Sequence, residues 1–389
     1  MHVTPVGVLF VVVAIAAFVG LHVYAWKRLV RDPELPRPWR RGATFLVVFL
    51  GFLVCAVFVS GRRVDPDHVT GAALIGYSWL GVLFYVFLCF GALDLARAAA
   101  RVFRTKPVDE GRRRFLARAA ASTAIVGTST VAVIGHREAG EILTPEIGVR
   151  LPRLPRELSG FRIAHLTDLH LGPLLRERFL ESVVEKTNAL RPDLVVITGD
   201  LVDAPVGKLA PALAPLANLR ARCGVAFVTG NHEYYCGARD WVEFLRARGV
   251  HVLLNERMAL GDTAPGGATF DLAGVADPTG RGTSAEHTPD LARALVGRDP
   301  ERGLVFLAHQ PRQIELARGL GVGLQLSGHT HGGQLWPFGA LVALTQPWIA
   351  GFHRADDGTQ IYVSRGTGFW GPPMRIGCPA EIASIVLSA

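Results

Sequence analysis

Cysteine is scarce in this chain, five residues in 389, and none stands in a Cys-x-x-Cys pair. That excludes a thiolate zinc ribbon and a thioredoxin-like redox pair. Cys55 and Cys89 fall inside apolar runs, where packing is the expected role. Cys223, Cys236 and Cys378 lie in the C-terminal part, an odd number that assigns no disulfide. No internal repeat or low-complexity tract is visible. The basic excess also lacks the distribution of a nucleic-acid footprint. Residues 1–136 hold 16 Lys+Arg and 7 Asp+Glu, and the remainder 25 and 26. The net charge of +8 is thus +9 on the first third and −1 on the rest. The positive charge lies beside apolar segments, and no nucleic-acid partner is expected.

Three of those segments, 6–26, 43–60 and 71–93, approach the ~20 apolar residues that a bilayer-spanning helix needs. A fourth, 115–134, is weaker, rich in Ala, Ser and Thr, with Arg118 near its start. The first has no basic n-region, so a cleaved signal peptide is not expected. None of the four carries the cluster of ionisable residues that marks a translocation path. His22 alone is expected to pack rather than relay protons. Trp26, Tyr77 and Trp79 fall near ends or flanks, as interfacial aromatics do.

Loop charge predicts the orientation. The first loop carries Lys27, Arg28, Arg31, Arg37, Arg40 and Arg41. The third carries Arg97, Arg101, Arg104, Lys106, Arg112, Arg113 and Arg114. The second has only Arg62 and Arg63, balanced by Asp65 and Asp67. Basic loops belong in the cytoplasm. Both termini, and the C-terminal domain, are then expected outside: a multi-pass protein of the cell membrane, with the lipid bilayer as partner. Arg112-Arg113-Arg114-Phe115-Leu116 has the twin-arginine form R-R-x-F-L just before the weakest segment. It either routes a folded domain across the membrane or supplies positive-inside charge alone.

Beyond residue 136 the pattern changes. Apolar runs at Phe161–Leu166, Leu194–Thr198, Val225–Val228 and Leu304–Leu307 each end in polar residues. These are Thr167-Asp168-Leu-His170, Gly199-Asp200-Leu-Val-Asp203, Thr229-Gly-Asn231-His232-Glu233 and Ala308-His309. A fifth short run leads into Ser327-Gly-His329-Thr-His331-Gly-Gly-Gln334. Runs that are apolar nearly throughout predict strands buried on both faces. Asp168 to Asp200 is 32 positions and Asp200 to Asn231 is 31, about one strand–helix–strand unit per step. Leu175, Phe179 and Val183 predict the first intervening helix. Leu209–Leu219 and Ala238–Arg248 predict two more, the former made irregular by Pro211 and Pro215. Further strands are predicted at Val250–Asn255, Thr269–Val275, Leu324–Leu326, Ile361–Val363 and Ile382–Leu387.

An open α/β sheet places its site at the carboxyl ends of successive strands. Asp168, His170, Asp200, Asn231, His309, His329 and His331 gather there by this reading, enough nitrogen and oxygen for two divalent cations. Such donors suit manganese, iron or zinc better than magnesium, and manganese is favoured.

In their order, D-x-H, G-D-x-x-D, G-N-H-E, H and G-H-T-H resemble the calcineurin-like metallophosphoesterase superfamily, from about Arg153 to the C-terminus. His331-Gly-Gly-Gln334 and Ser364-Arg-Gly-Thr-Gly-Phe-Trp-Gly-Pro-Pro-Met-Arg375 resemble its membrane-associated bacterial branch, some members of which act on lipid-linked or nucleotide-linked substrates. The resemblance implies a two-sheet sandwich flanked by helices. The expected organisation is an N-terminal four-helix transmembrane region (1–136), a connecting segment (137–158) and an α/β (α+β) phosphoesterase domain (159–389). It further implies Asp168, His170, Asp200 and His331 around one metal, with Asp200 bridging to a second completed by Asn231, His309 and His329. His232 would protonate the leaving oxygen or stabilise the transition state, and Asp203 would orient it.

The implied activity is metal-dependent hydrolysis of a phosphomonoester, phosphodiester or pyrophosphate. With an outward domain, a cell-envelope phospholipid or isoprenoid-type phosphate fits better than a cytoplasmic nucleotide-lipid. The alternative is a metal-binding sensor or transporter-associated domain without turnover. Gly332 and Gly333 are expected to let the loop turn after two ligands. Arg365 reads equally as a phosphate contact or an ion pair. Trp336, Phe338, Phe369 and Trp370 read as an apolar lip for a lipid tail or as a packed aromatic cluster. His165 is expected in the core; His251, His287 and His353 have no motif around them.

Overall fold

The computed structural model describes every residue except 1–4, 61–63, 102–108, 263 and 265. Arg62, Arg63, Arg104 and Lys106, on which part of the loop-charge reading rests, lie outside the described residues. The chain divides into two compact units, Met1–Ser60 with Gly71–Gly135, and Gly61–Thr70 with His136–Ala389.

The first unit is built from helices Pro5–Trp26, Arg37–Ser60, Pro66–Arg101 and Glu110–Gly140. All four are long and apolar enough to cross a membrane. The apolar runs are only the middles of longer helices, because backbone hydrogen bonding continues into the polar flanks. A π-helix, Lys27–Arg31, follows the first helix directly. Polar groups pair among themselves near the helix ends. Tyr24 Oη donates to Asp94 at 2.7 Å, Arg28 pairs with both Asp94 and Asp32, and Arg113 and Arg114 meet Glu34 at 3.3 and 3.6 Å. Trp79 Nε1 donates to His22 Nε2 at 3.1 Å, which leaves Nδ1–H for the Phe18 carbonyl at 2.9 Å. His22 is thus a packed, hydrogen-bonded histidine.

The second unit is a sandwich of two six-stranded sheets. Edge to edge, the first runs Glu146–Arg150, Ala383–Ser388, Arg162–Leu166, Leu194–Ile197, Val225–Phe227 and His251–Val252. The second runs Gly351–Arg354, Gln360–Val363, Leu324–Ser327, Leu304–Leu307, Thr269–Gly274 and Glu256–Gly261. The central strands of each are parallel. Alternation along one strand separates two cores. Ile163, Leu194 and Val196 face Phe270, Leu272, Val305 and Leu326 between the sheets. Ala164, Val195 and Ile197 face outward onto Leu180, Val183, Trp241 and Leu245 of helices Glu177–Ala189 and Ala238–Arg246. The outer face of the second sheet is covered through Leu291 and Ile314. Both faces of both sheets are buried, which is why their central strands read as unbroken apolar runs.

Three local expectations change. Residues 137–158 are not only a connection: Ile142–Leu143 pairs with Ala380–Glu381, and Glu146–Arg150 forms a sheet edge beside Ala383–Ser388. Val250–Asn255 keeps only His251–Val252 as strand. Glu256–Gly261 and Gly351–Arg354, at the two edges of the second sheet, have no apolar run to betray them. An edge strand faces solvent along one side, so its side chains carry a weak pattern. The region Leu209–Leu219 is a short α-turn, Val206–Leu209, followed by the 3-10 stretch Ala210–Asn218, as its prolines require.

Candidate metal centre

Each candidate ligand follows the carboxyl end of a strand, but the strands belong to both sheets. The first supplies Asp168, His170, Asp200 and Asn231, and the second His309, His329 and His331. The seven therefore meet at one end of the sandwich rather than along a single open sheet. Asp168, His170 and His331 hold donor atoms within 4.8 Å of one another, as do Asp200, His309 and His329. A third triad, His170, Asp200 and His232, shares members with both. Asn231 joins through its Oδ1, 3.2 Å from His309 Nε2.

The orientations are specific. His170 Nε2 lies 3.0 Å from His331 Nε2, and His329 Nδ1 lies 3.2 Å from His309 Nε2. His309 turns its other nitrogen to the Thr198 carbonyl at 2.8 Å, which leaves Nε2 facing Asp200 Oδ2 at 3.3 Å. His331 Nε2 stands 3.5 Å from Asp168 Oδ1. Imidazole nitrogens aimed at one another beside buried carboxylates are a poor arrangement for protons alone and a good one for cations.

The backbone supports the same reading. Asp168, His170, Asp200, His329 and His331 all have φ between +48° and +71°. Each such residue costs about 1–3 kcal/mol, a strain that collects where a site demands it. Glycines make room for the loops. A Cβ on Gly199 would stand 2.4 Å from the Gly230 nitrogen, and one on Gly328 would stand 2.1 Å from Asp168 Oδ2.

Asp203 does more than its motif implies. Its Oδ1 accepts from His232 Nδ1 at 2.6 Å and from His170 Nδ1 at 3.0 Å. One carboxylate thereby sets the tautomer of a candidate ligand and of the candidate acid together. Burial alone would raise Asp203; His170 and His232 outweigh it and hold the carboxyl well below the usual range. Burial opposes charge on His232 too, but Asp200 and Asp203 push it up to about 9. With Nδ1–H committed to Asp203, its Nε2 faces the site, 4.0 Å from Asp200 Oδ2.

Two supporting residues escaped sequence reasoning. Glu233 is fully buried, and its carboxylate accepts from the amides of Asp200 (3.0 Å), Leu201 (2.8 Å) and Gly230 (2.6 Å). It ties two candidate-ligand loops together. Its place three residues after Gly230, at the third position of helix Asn231–Cys236, was the available signal. Arg375 is also fully buried, donating to the carbonyls of Gly368, Cys378 and His331. Burial lowers it to about 10.

Other singled-out residues fall on one side of their alternatives. Arg365 pairs with Glu381, a buried carboxylate that also accepts from Tyr362 Oη at 2.7 Å. The ion-pair reading holds, with a buried partner. Phe369 packs against the helix-side core, while Trp336, Phe338 and Trp370 are exposed. Trp370 and Tyr235 flank His232 with ring centroids 6.1 and 5.3 Å away. His165 is core, hydrogen-bonded to Thr198 Oγ1 at 2.8 Å. His287 meets Tyr234, and His353 stacks on Trp348. None of the five cysteines is in a disulfide.

Residues 161–333 match the family model described as calcineurin-like phosphoesterase. A transmembrane protein with metallophosphoesterase domain from Danio rerio is 34% identical over 385 residues, covering 94% of this chain and 86% of that protein. An uncharacterized metallophosphoesterase from Campylobacter jejuni is 32% identical over 97% of this chain and 98% of its own length. One from Helicobacter pylori is 41% identical over 62% of this chain and 63% of its own.

Proposed function

This chain belongs to the calcineurin-like metallophosphoesterases, and from that premise we propose that it is a membrane-anchored, binuclear-metal hydrolase of phosphate esters. The observation that carries the proposal is the pair of donor triads, Asp168–His170–His331 and Asp200–His309–His329, converging from two sheets on strained backbone. Asp168, His170, Asp200 and His331 would hold one cation. Asn231, His309 and His329 would complete a second site, with Asp200 common to both. Manganese is the favoured ion, ahead of iron or zinc. Two such cations, when bound, would supply neutralisation of phosphoryl charge and activation of water near neutral pH.

The chain's own residues supply the rest. His232 carries its proton on the nitrogen facing the site and delivers it to the leaving oxygen. Asp203 holds the other ring nitrogen and keeps His232 protonated. Tyr235 and Trp370 bound the approach to His232. Glu233 and Arg375 hold ligand loops in place and touch no reacting atom.

The four apolar helices act as the anchor, in a multi-pass arrangement, with the sandwich on the extracytoplasmic side. A phosphate carried on a lipid is the substrate class this location favours, whether monoester, diester or pyrophosphate. The test is hydrolysis of an aryl phosphate and an aryl phosphodiester by the full-length protein with added Mn²⁺. Cleavage is expected. A protein that binds two metals yet cleaves no phosphoester at any loading would instead be a metal-binding sensor.

A further inference from the structure

We infer that the exposed run from Trp336 to Leu344 is a second membrane contact, a surface that rests in the interfacial layer of the lipid bilayer. Trp336 is 69% exposed, Phe338 43%, Leu341 56% and Leu344 79%, all within nine residues. Scattered exposed apolar residues are ordinary, but such a cluster marks an interaction surface. From Leu335 to His353 the sequence contains no Asp, Glu, Lys or Arg. Trp and Phe among small apolar residues, without charge, match the chemistry of the headgroup–acyl boundary.

The run is held in shape. Trp336 N donates to the Ile376 carbonyl at 3.1 Å, Thr330 Oγ1 to that of Ile349 at 2.7 Å, and Gln346 accepts from Arg312 N at 3.1 Å. It is also continuous with the candidate site. It starts five residues after His331. Gln334 ties it to the other side of the mouth, donating to Trp370 O at 2.9 Å and accepting from Trp370 N at 3.0 Å. The Trp370 ring in turn flanks His232.

The bilayer is the occupant because of the chain's connectivity. Helix Glu110–Gly140, one of the four apolar helices, is followed after a single residue, Glu141, by strand Ile142–Leu143 of the sandwich unit. A sandwich tethered that closely to a membrane-spanning helix stays beside the bilayer, so its uncharged apolar surface meets lipid at high effective concentration. The consequence for substrate, which rests on the function proposed above, is delivery of a phosphate from the interfacial layer directly into the site.

Full-length protein in nanodiscs is the test material, made once with ordinary phosphatidylcholine and once with phosphatidylcholine brominated on its acyl chains. Bromine quenches indole fluorescence on contact. The difference between the unaltered protein and Trp336→Phe isolates the Trp336 emission from that of the other six tryptophans. Brominated lipid is expected to quench that emission at least two-fold. A second variant, Leu344→Trp on the Trp336→Phe background, should gain an emission quenched alike. Emission at both positions that brominated lipid leaves unchanged overturns the inference. If aqueous acrylamide then quenches it, the surface faces water. If neither quenches it, protein covers the surface, as a second copy or the chain's own helices would. Turnover of a water-soluble aryl phosphate, assayed in the same discs, reads the proposed function separately: quenching without any turnover would sustain the docking surface and remove the phosphoesterase.

Discussion

The helical unit and the sandwich treat polar groups in opposite ways. In the helices, Asp94 is met by Arg28 and Tyr24, Glu34 by Arg113 and Arg114, and His22 by Trp79 and the Phe18 carbonyl. Each polar group finds an opposite or complementary one. At the end of the sandwich, His170 faces His331 and His309 faces His329, nitrogen to nitrogen, beside Asp168 and Asp200. Pairing of the first kind satisfies charge and hydrogen bonding within the fold itself. Convergence of the second kind suits a cation better than it suits protons, and strained backbone holds it in place. The contrast separates residues that hold the protein together from residues arranged as candidate ligands.

The contrast breaks most sharply at the proposed ligands. Asp168→Asn is expected to lower turnover of an aryl phosphate by about 10²–10³-fold or more, the size of losing one preorganised group at the reacting centre. Metal content after gel filtration should fall with it. Turnover that survives with full metal content would remove Asp168 from the ligand set.

His232→Asn comes next. A general acid contributes about 10²–10⁴-fold, so kcat should drop by that factor while both metals stay bound. Asp203→Asn sharpens the assignment through pH. Burial works against charge on His232, and Asp200 and Asp203 raise it to about 9. As the proposed acid, His232 acts in its protonated form, so activity is retained below its pKa and lost as pH rises through it; bound cations beside the ring would oppose its charge and bring that limb below about 9. Removing the Asp203 charge lowers the pKa, and the alkaline limb of the kcat profile should move to lower pH. An unmoved limb would assign that limb to another group.

Glu233→Gln tests a residue that stabilises without touching substrate. Its carboxylate serves three amides, and a carboxamide offers one of them a donor instead of an acceptor. The loss is about 2 kcal/mol, or a Tm fall of about 4–8 °C for a domain of this size. Calorimetry of the metal-free protein reads it apart from any change in metal affinity. Asp94→Asn, in the helices, should cost less, about 1 kcal/mol or under, because the pair lies near the helix ends and stays partly exposed. Aryl phosphate turnover per folded molecule should not change.

Like Asp94→Asn, the change of Arg112 and Arg113 together to Lys is expected to leave turnover as it is. Loop charge is kept and the arginine pair lost. If the pair routes the domain, protease added to spheroplasts should no longer reach it, while turnover in lysates stays the same. Unchanged accessibility would leave the arginines a charge role only.

Much of this was legible before any coordinates. Apolar runs ending in Asp168, Asp200, Asn231, His309 and His329 mark strand ends, because a strand buried on both faces has no polar position until it leaves the sheet. The four apolar helices were legible for a similar reason, since composition over ~20 residues decides whether a helix suits a bilayer. Edge strands such as Gly351–Arg354 were not, since half their surroundings are water.

What local sequence could not contain is pairing at a distance. His170 and His331 stand 161 positions apart, and no periodicity relates them. The sharing of Asp203 between His170 and His232, the three amides on Glu233 and the burial of Arg375 exist only once two sheets close over one end. So does the exposure of Trp336 beside the burial of Phe369. Residue type and spacing determined which groups could carry the chemistry. Long-range packing decided which of them face each other, because that depends on how separate strands stack and not on any one of them.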